Sequence, residues 1–371
     1  MSLFAALVAP VHRWRAMREL RSFDRHQAYD SRWDFKHLIA QANEALDRDL
    51  QGRAREIWAA AYARFPDLAM LSQPALDLML RLGLHADAEA LLNRAVKRYP
   101  NSVEALEGLA RLAFERRDHA EALRRTEVLR KKFPNSLKGY WIGAASLSEL
   151  GRFAEAEALL ARGLTFAPDD LILRVEHARL AARSEDWDRA LERWTYVHET
   201  LRHAAGTIGL AATLSRLARY DEADALIAGV VHRSGNDIGI WIASAQIAEQ
   251  KQDWEEASRR WGVIRSRFPL ASTGYLGGLK PLEKLSRRAE AEEIIKAGIE
   301  RIPDDVKLVT EYAMMAHRNG DWPDAAARWA AVRRRFPASQ EAYAREADAL
   351  DALHRPADAA AIRAMSPPGA A

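Results

Sequence analysis

An alanine recurs along almost the whole chain at a nearly constant interval. The ten positions are Ala54, Ala88, Ala122, Ala156, Ala190, Ala223, Ala257, Ala291, Ala325 and Ala359. The interval is 34 residues at every step except the one from Ala190 to Ala223, where it is 33. A fixed period of this length predicts a stack of repeated units, because one such unit cannot bury its apolar face alone. We call these positions the register alanines and number the repeats one to ten after them.

Two further positions keep the same register. Another alanine lies twelve residues before the register alanine in eight repeats, and a proline lies twelve residues after it in seven. Helices cross closely only where the side chains at the contact are small. Proline ends a helix, because it lacks an N–H group and its ring clashes with the preceding turn. Glycine turns such as Leu150-Gly151-Arg152 lie between the two positions, so each repeat is predicted to be a helix–turn–helix hairpin.

This pattern resembles the tetratricopeptide repeat family, whose repeats have 34 residues, two helices, small residues at the helix crossing and a final proline. The family's aromatic residue three positions before the register alanine is present in five repeats, as Phe153, Trp187, Tyr220, Trp254 and Trp322. It is absent from the first repeats and is replaced by Arg288 and Pro356. The resemblance implies an all-α fold, a right-handed superhelical solenoid of about ten helix–turn–helix repeats.

The resemblance also suggests a division of the chain. Residues 1–32 are predicted to be a basic amphipathic extension, residues 33–365 the repeat array and residues 366–371 a disordered tail. Two places in the array are irregular. The segment from His198 to Thr207 lacks the usual proline and precedes the short interval, so it is predicted to depart from the regular stack. The stretch Gly274-Tyr275-Leu276-Gly277-Gly278 with Pro281 is predicted to be kinked, or to allow a close approach of backbone.

Alternate repeats resemble each other more than neighbours do. Repeats five, seven and nine share the pattern Asp-Trp-x-x-Ala-x-x-x-Trp, which begins at Asp186, Asp253 and Asp321. This alternation indicates growth by duplication of a pair of hairpins. The two tryptophans of each pattern are seven residues apart and therefore share one helix face. They are predicted to pack in the core rather than to form a ligand cage.

The sequence offers no catalytic chemistry. It contains no cysteine, which excludes thiolate metal sites and cysteine nucleophiles, and its histidines lack metal-ligand spacing. It also lacks the glycine-rich motifs that bind nucleotides and the serine elbow of hydrolases. We therefore predict no catalytic, cofactor-binding or metal-binding residues, and a protein that is not an enzyme.

The resemblance implies that the first helix of each hairpin lines a concave groove, into which the residues eleven and seven positions before the register alanine point. From repeat five to repeat nine these positions hold six cations and no acid: Arg179, Arg183, Arg216, Lys280, Lys284 and Arg318. Such a groove favours an acidic peptide or the C-terminus of a protein partner. The alternative is that nearby glutamates pair with these cations and the row is simply solvated.

The excess positive charge lies at the N-terminus. The chain has a formal net charge of +3, and residues 1–32 hold six arginines against three acids, so the remainder is neutral. Nucleic-acid binding needs a larger surplus and is not expected. Within residues 1–21 an apolar face is followed by arginines; its members are Phe4, Leu7, Val8, Val11 and Trp14. This segment either contacts a membrane surface or caps the first repeat.

These features indicate a bacterial cytoplasmic scaffold or adaptor, with peripheral contact at the inner membrane if the N-terminal segment binds lipid. The style of the alternating hairpins is similar to that of bacterial proteins linked to cell-envelope glycan or polysaccharide machinery. The alternative is a non-catalytic regulatory subunit that positions a glycosyltransferase-type enzyme at the membrane.

Overall fold

The computed structural model describes residues 32–46, 51–70, 72–231 and 236–367. All the regular secondary structure in these residues is helical, and the predicted all-α repeat fold is confirmed. The apolar N-terminal residues Phe4, Leu7, Val8, Val11 and Trp14 lie outside the described residues, as does the tail from residue 368.

The helices follow one another with short connections. They are α1 (residues 32–46), α2 (Gln51–Arg64), α3 (Pro66–Met70), α4 (Gln73–Arg81), α5 (His85–Arg98), α6 (Val103–Glu115), α7 (His119–Lys132), α8 (Leu137–Glu149), α9 (Phe153–Phe166), α10 (Leu171–Arg183), α11 (Trp187–Glu199), α12 (Ala204–Arg216), α13 (Tyr220–Val231), α14 (Ile238–Gln250), α15 (Trp254–Arg267), α16 (Ser272–Gly277), α17 (Leu279–Lys284), α18 (Arg288–Arg301), α19 (Val306–Arg318), α20 (Trp322–Arg335), α21 (Gln340–Ala352) and α22 (Pro356–Ala364).

The chain forms two compact units, Met1–Ser184 and Glu185–Ala371. We call them the N-terminal and C-terminal units. Within each unit, helices that are consecutive in sequence pack against each other as hairpins. The division falls between α10 and α11, the two helices that the sequence assigns to repeat five.

The register alanines are the tightest points of both units. Nine of the ten are completely buried and Ala291 is 5% exposed. The eight alanines twelve residues earlier are buried as well. Because both alanine side chains are small and buried, the two helices of a hairpin can approach each other closely. The sequence interpretation of both alanine rows is confirmed.

A left-handed residue closes the first helix of each repeat from two to ten. Three of these residues are the glycines Gly83, Gly151 and Gly320, as the sequence suggested. The other six have side chains and still adopt positive φ: Arg117, Glu185, Ala218, Gln252, Ser286 and His354. The conformation is kept because the next residue's N–H reaches back to a carbonyl in the last turn, as from Asp118 to Ala113 at 3.0 Å.

The tryptophans of the alternating repeats belong to the core, as predicted. Trp194, Trp261 and Trp329 are all buried. The glycines of the next repeat make room for two of them. A Cβ atom added to Gly209 would lie 2.3 Å from the ring of Trp194, and one added to Gly277 would lie 2.4 Å from that of Trp261.

The glycine cluster in repeat eight is thereby explained. The first helix of this repeat is broken into α16 and α17 at Gly278, so the predicted kink and the close approach are both present. A Cβ atom on Gly278 would lie 2.4 Å from the guanidinium of Arg265. The cluster therefore accommodates side chains of α15.

Three arginines link consecutive repeats on the second helices. Arg125 donates to Glu89 of the preceding repeat at 2.7 Å and to the Leu109 carbonyl of its own first helix at 3.0 Å. Arg260 makes the same bonds to Asp224 at 2.5 Å and to the Ser244 carbonyl at 2.7 Å.

Arg328 repeats the arrangement with Glu292 at 2.7 Å and the Tyr312 carbonyl at 2.9 Å. Each of the three arginines follows its register alanine by three residues in an odd-numbered repeat. Each acceptor carboxylate follows its register alanine by one residue in an even-numbered repeat. The period of two hairpins thus corresponds to a bond that recurs between an arginine of an odd-numbered repeat and a carboxylate of the even-numbered repeat before it.

The segment from His198 to Thr207 meets its prediction only in part, because its backbone is irregular at Arg202, which has a φ of 51°. It does not leave the stack, because α11 and α12 pack closely within the C-terminal unit. His198 Nδ1 lies 2.9 Å from Thr207 Oγ1, and Gly206 lies against the backbone of Val197 and His198. The missing residue is removed from α11, which has 13 residues where α9 and α15 have 14. A helix one residue shorter absorbs the deletion without opening the connection.

Replacing Gly277 by alanine should destabilise the C-terminal unit by about 1–3 kcal/mol, because the new methyl group would overlap the Trp261 ring. Gly229→Ala is the matched control. No heavy atom lies within 4 Å of a Cβ there, so stability should be unchanged or increase by about 0.5–1 kcal/mol. Urea unfolding followed by tryptophan fluorescence measures both effects. Equal tolerance of the two substitutions would refute the close-packing explanation.

Acid should weaken both units through Glu121 and Glu256. Bonds from Arg124 and then Arg125 lower the pKa of Glu121 from 4.5 to about 2, against the effect of burial. Arg259 and Arg260 do the same for Glu256. Because the pKa is depressed in the folded state, this stabilisation is complete above about pH 4.5 and is lost as the pH falls towards 2. As the pH is lowered through this range, the midpoint of unfolding should fall less steeply in the double variant Glu121→Gln, Glu256→Gln than in the original chain. Parallel pH profiles would contradict the prediction.

Candidate partner-binding surface

The six cations predicted for the groove lie on first helices, and all are exposed to solvent. Arg179 and Arg183 belong to α10 of the N-terminal unit. The other four lie in the C-terminal unit, Arg216 on α12, Lys280 and Lys284 on α17, and Arg318 on α19.

In the N-terminal unit both cations are neutralised by nearby carboxylates. Arg179 pairs with Glu176 one turn earlier on α10, at 2.7 Å. Arg183 reaches α8, where it pairs with Glu149 at 2.8 Å and donates to the Ser148 hydroxyl at 3.2 Å. The arrangement in this unit is therefore the alternative from the sequence analysis, in which the cations pair with nearby glutamates.

The same face carries a ladder of bonds between successive first helices. Arg81 on α4 donates to Asn43 on α1 at 2.5 Å, and Arg111 on α6 bonds Asp77 on α4. Arg183 continues the series between α10 and α8. Groove positions of one repeat therefore satisfy those of the next, and the N-terminal unit offers little unpaired positive charge on this face.

Two of the four cations in the C-terminal unit are also paired. Lys280 Nζ lies 3.0 Å from Glu249 Oε2 and 5.7 Å from the centre of the Trp254 ring. Arg318 pairs with Glu311, seven residues earlier on α19. Glu249 is largely buried and also accepts a bond from Trp261 Nε1 at 2.7 Å. It connects the core tryptophan to the surface lysine.

The other two cations have no carboxylate partner within the described residues. The guanidinium of Arg216 lies 5.3 Å from the centre of the Trp187 ring, which holds it without neutralising it. Lys284 Nζ forms no ion pair in this part of the chain. Gln246 and Gln250 occupy the corresponding positions on α14, the first helix of the repeat before α16 and α17, and both are exposed. This surface, which we call the α12–α17 face, combines two free positive charges with two side-chain amides.

The sequence analysis missed the acidic residues that neutralise the cationic row. Glu176 and Glu311 lie fourteen positions before their register alanines, and Glu249 lies eight before its own. The separation of Glu176 and Arg179 is typical of a helical ion pair and could have revealed that partner. No local signal links Lys280 to Glu249, because the pair depends on packing between α14 and α17.

The described part of the chain contains no group of three or more histidine and acidic side chains that could hold a metal ion. None of its helices is both long and apolar enough to cross a membrane. A shallow cavity beside α5 includes Glu89 and Arg116, which pair with each other at 2.6 Å.

Models of the tetratricopeptide repeat match residues 72–112 and residues 104–136, a stretch that runs from α4 to the turn before α8. These matches coincide with hairpins whose alanine crossings and turns have been described above. Residues 72–136 are tetratricopeptide repeats. No curated protein matches it.

The crystal structure of a tetratricopeptide repeat protein from Parabacteroides merdae is similar at 17% sequence identity. The match covers 67% of this chain and 98% of that one, with a TM-score of 0.49. Tetratricopeptide repeats indicate a protein–protein interaction scaffold. The links to polysaccharide machinery and to a glycosyltransferase remain predictions from the sequence.

Two substitutions of Glu249 separate its bond to Trp261 from its ion pair with Lys280. Glu249→Ala removes the acceptor of Trp261 Nε1 and should lower the stability of the C-terminal unit by about 1–3 kcal/mol. Glu249→Gln keeps an oxygen that accepts this bond and loses only the exposed ion pair, so it should cost less than about 1 kcal/mol. Urea unfolding distinguishes the two. Equal losses would show that the tryptophan bond is not the important contact.

Proposed function

We propose that the chain is a non-catalytic scaffold that binds an acidic segment of a protein partner on the α12–α17 face. The observation that carries this proposal is the pair of cations, Arg216 and Lys284, without carboxylate partners in the described residues. Lys280 and Arg318 on the same side are compensated by Glu249 and Glu311. A carboxylate arriving from a partner would therefore meet its strongest attraction at Arg216 and Lys284.

The side chains around these two cations suit an extended segment. Gln246 and Gln250 each offer an amide donor and an amide acceptor, which match the N–H and C=O groups of a peptide backbone. Arg216 is held against Trp187, so less side-chain entropy is lost when it binds. Arg179 and Arg183 line the same side of first helices in the N-terminal unit, but Glu176 and Glu149 reduce their attraction for an acid.

A charge-reversal experiment tests the proposal. The tagged full chain is used to capture partners, which are identified by mass spectrometry, and the segment that binds is synthesised as a peptide. The double variant Arg216→Glu, Lys284→Glu should weaken peptide binding at least about tenfold, because each cation loses a charge-assisted bond and gains a repulsion. The affinity should also fall with rising salt concentration.

The control is a second double variant in the same unit, Arg301→Glu, Arg334→Glu. Both arginines are exposed on second helices and have no ion pair in the described residues. This variant changes the net charge by the same amount and should leave binding within about twofold. Binding that survives the first variant, or that both variants weaken equally, would refute the α12–α17 face as the binding site.

A further inference from the structure

The N-terminal unit has a basic edge where its second helices end. Lys97 and Lys132 occupy the last turns of α5 and α7, Arg162 lies four residues before the end of α9, and all three are exposed. None of the three forms an ion pair with a carboxylate of the described residues. Between residues 51 and 184 the sequence holds 21 basic and 17 acidic side chains, so this part of the chain has a surplus of positive charge.

The three cations lie on the same edge of the stack. Lys132 Nζ, at the end of α7, donates to the Pro100 carbonyl just after α5 at 3.0 Å. The ends of α7 and α9 both reach Tyr140 of α8, whose ring centre lies 6.0 Å from the Arg130 guanidinium and 5.7 Å from the centre of the Phe166 ring. The ends of α5, α7 and α9 are therefore neighbours, and their positive charges repel each other. Attraction to the negative ends of the helix dipoles offsets part of that repulsion.

Two apolar side chains stand on this edge. Phe166 is 45% exposed and Ile172 is 51% exposed, on either side of the turn between α9 and α10. In the preceding repeats an aromatic residue comes directly before the proline, as in Tyr99-Pro100 and Phe133-Pro134. In repeat four an alanine separates Phe166 from Pro168. The ring of Phe166 packs on that of the buried Tyr140, with 5.7 Å between the ring centres, and the rest of the Phe166 side chain remains exposed.

We propose that this edge, made of Lys97, Lys132, Arg162, Phe166 and Ile172, is a docking surface for an anionic lipid bilayer. Lipid phosphates attract exposed lysines and arginines without a preformed pocket. An aromatic and an aliphatic side chain beside them can enter the headgroup layer, where an exposed apolar group is no longer in contact with bulk water. The dipole explains cations at helix ends, but it does not explain why Phe166 and Ile172 are exposed among them.

A flat lipid surface fits these residues better than a protein ligand does. The cations of this edge lie on three different helices. Long, flexible side chains on successive repeats can reach a plane together. The surface differs from the α12–α17 face and belongs to the other unit, so either proposal can fail without the other.

Co-sedimentation of the full chain with vesicles tests this surface. The vesicles are phosphatidylcholine alone, or phosphatidylcholine with about a third phosphatidylglycerol. The chain should bind the anionic vesicles and not the neutral ones, and binding should decrease as salt is added. The triple variant Lys97→Glu, Lys132→Glu, Arg162→Glu should reduce partition at least about tenfold. Phe166→Ser, Ile172→Ser should reduce it about threefold or more without changing the salt dependence.

The matched control reverses three exposed arginines at the opposite ends of the hairpins, Arg53→Glu, Arg117→Glu and Arg152→Glu. It has the same net charge as the triple variant and should bind within about twofold of the original chain. Circular dichroism confirms that each variant is folded. Equal loss in the control would mean that only net charge matters, and unchanged binding in the triple variant would overturn the proposal.

A separate variant, Phe4→Ser, Leu7→Ser, Trp14→Ser, distinguishes the basic edge from the N-terminal segment. If this variant alone abolishes vesicle binding, the lipid contact belongs to residues 1–21 and the edge proposal is wrong. Failure of the original chain to bind anionic vesicles would also overturn it. Loss of an acidic protein partner in the Lys97, Lys132, Arg162 variant, with vesicle binding intact, would assign the edge to a protein instead.

Discussion

The close crossing of two helices at a buried alanine is the contact on which the rest of this structure depends. It recurs every 33 or 34 residues, and the register alanine is buried in every repeat. Because each hairpin has the same crossing, each presents the same faces to its neighbours, and repeats can be added one after another. The first helix of each repeat then packs against the second helix of the repeat before it.

That fit explains why alternate repeats are alike. Odd-numbered repeats supply a large tryptophan or a bridging arginine, and even-numbered repeats supply the glycine or the carboxylate that accepts it. The bonds of Arg125, Arg260 and Arg328 join three helices each, which makes them more than ordinary surface ion pairs. Duplication of a pair of hairpins preserves both halves of such a contact, whereas duplication of one hairpin would separate them.

Many exposed charges of the described residues are matched by an opposite charge, and the functional proposals rest on some of those that are not. The six groove cations occupy equivalent positions in the sequence. Four of them form an ion pair with a carboxylate, namely Arg179, Arg183, Lys280 and Arg318, whereas Arg216 and Lys284 form none within the described residues. A row of like charges is therefore a poor guide to binding until its neighbours are known. The same comparison separates Lys97, Lys132 and Arg162 from the many arginines that are paired with acids on the second helices.

The sequence by itself determined the hairpin fold, the positions of the buried alanines and the burial of the tryptophans, because these depend on a local period and on side-chain size. It also located the kink in repeat eight, since glycine and proline act on the backbone directly. The tertiary structure alone decided which groove cations stay unpaired, where the chain divides into two units, and that the deletion before Ala223 shortens α11. Several of those outcomes depend on contacts between residues more than 30 positions apart, such as Arg183–Glu149 and Lys280–Glu249, which a local pattern does not specify. The N-terminal segment with Trp14 keeps both of its predicted roles.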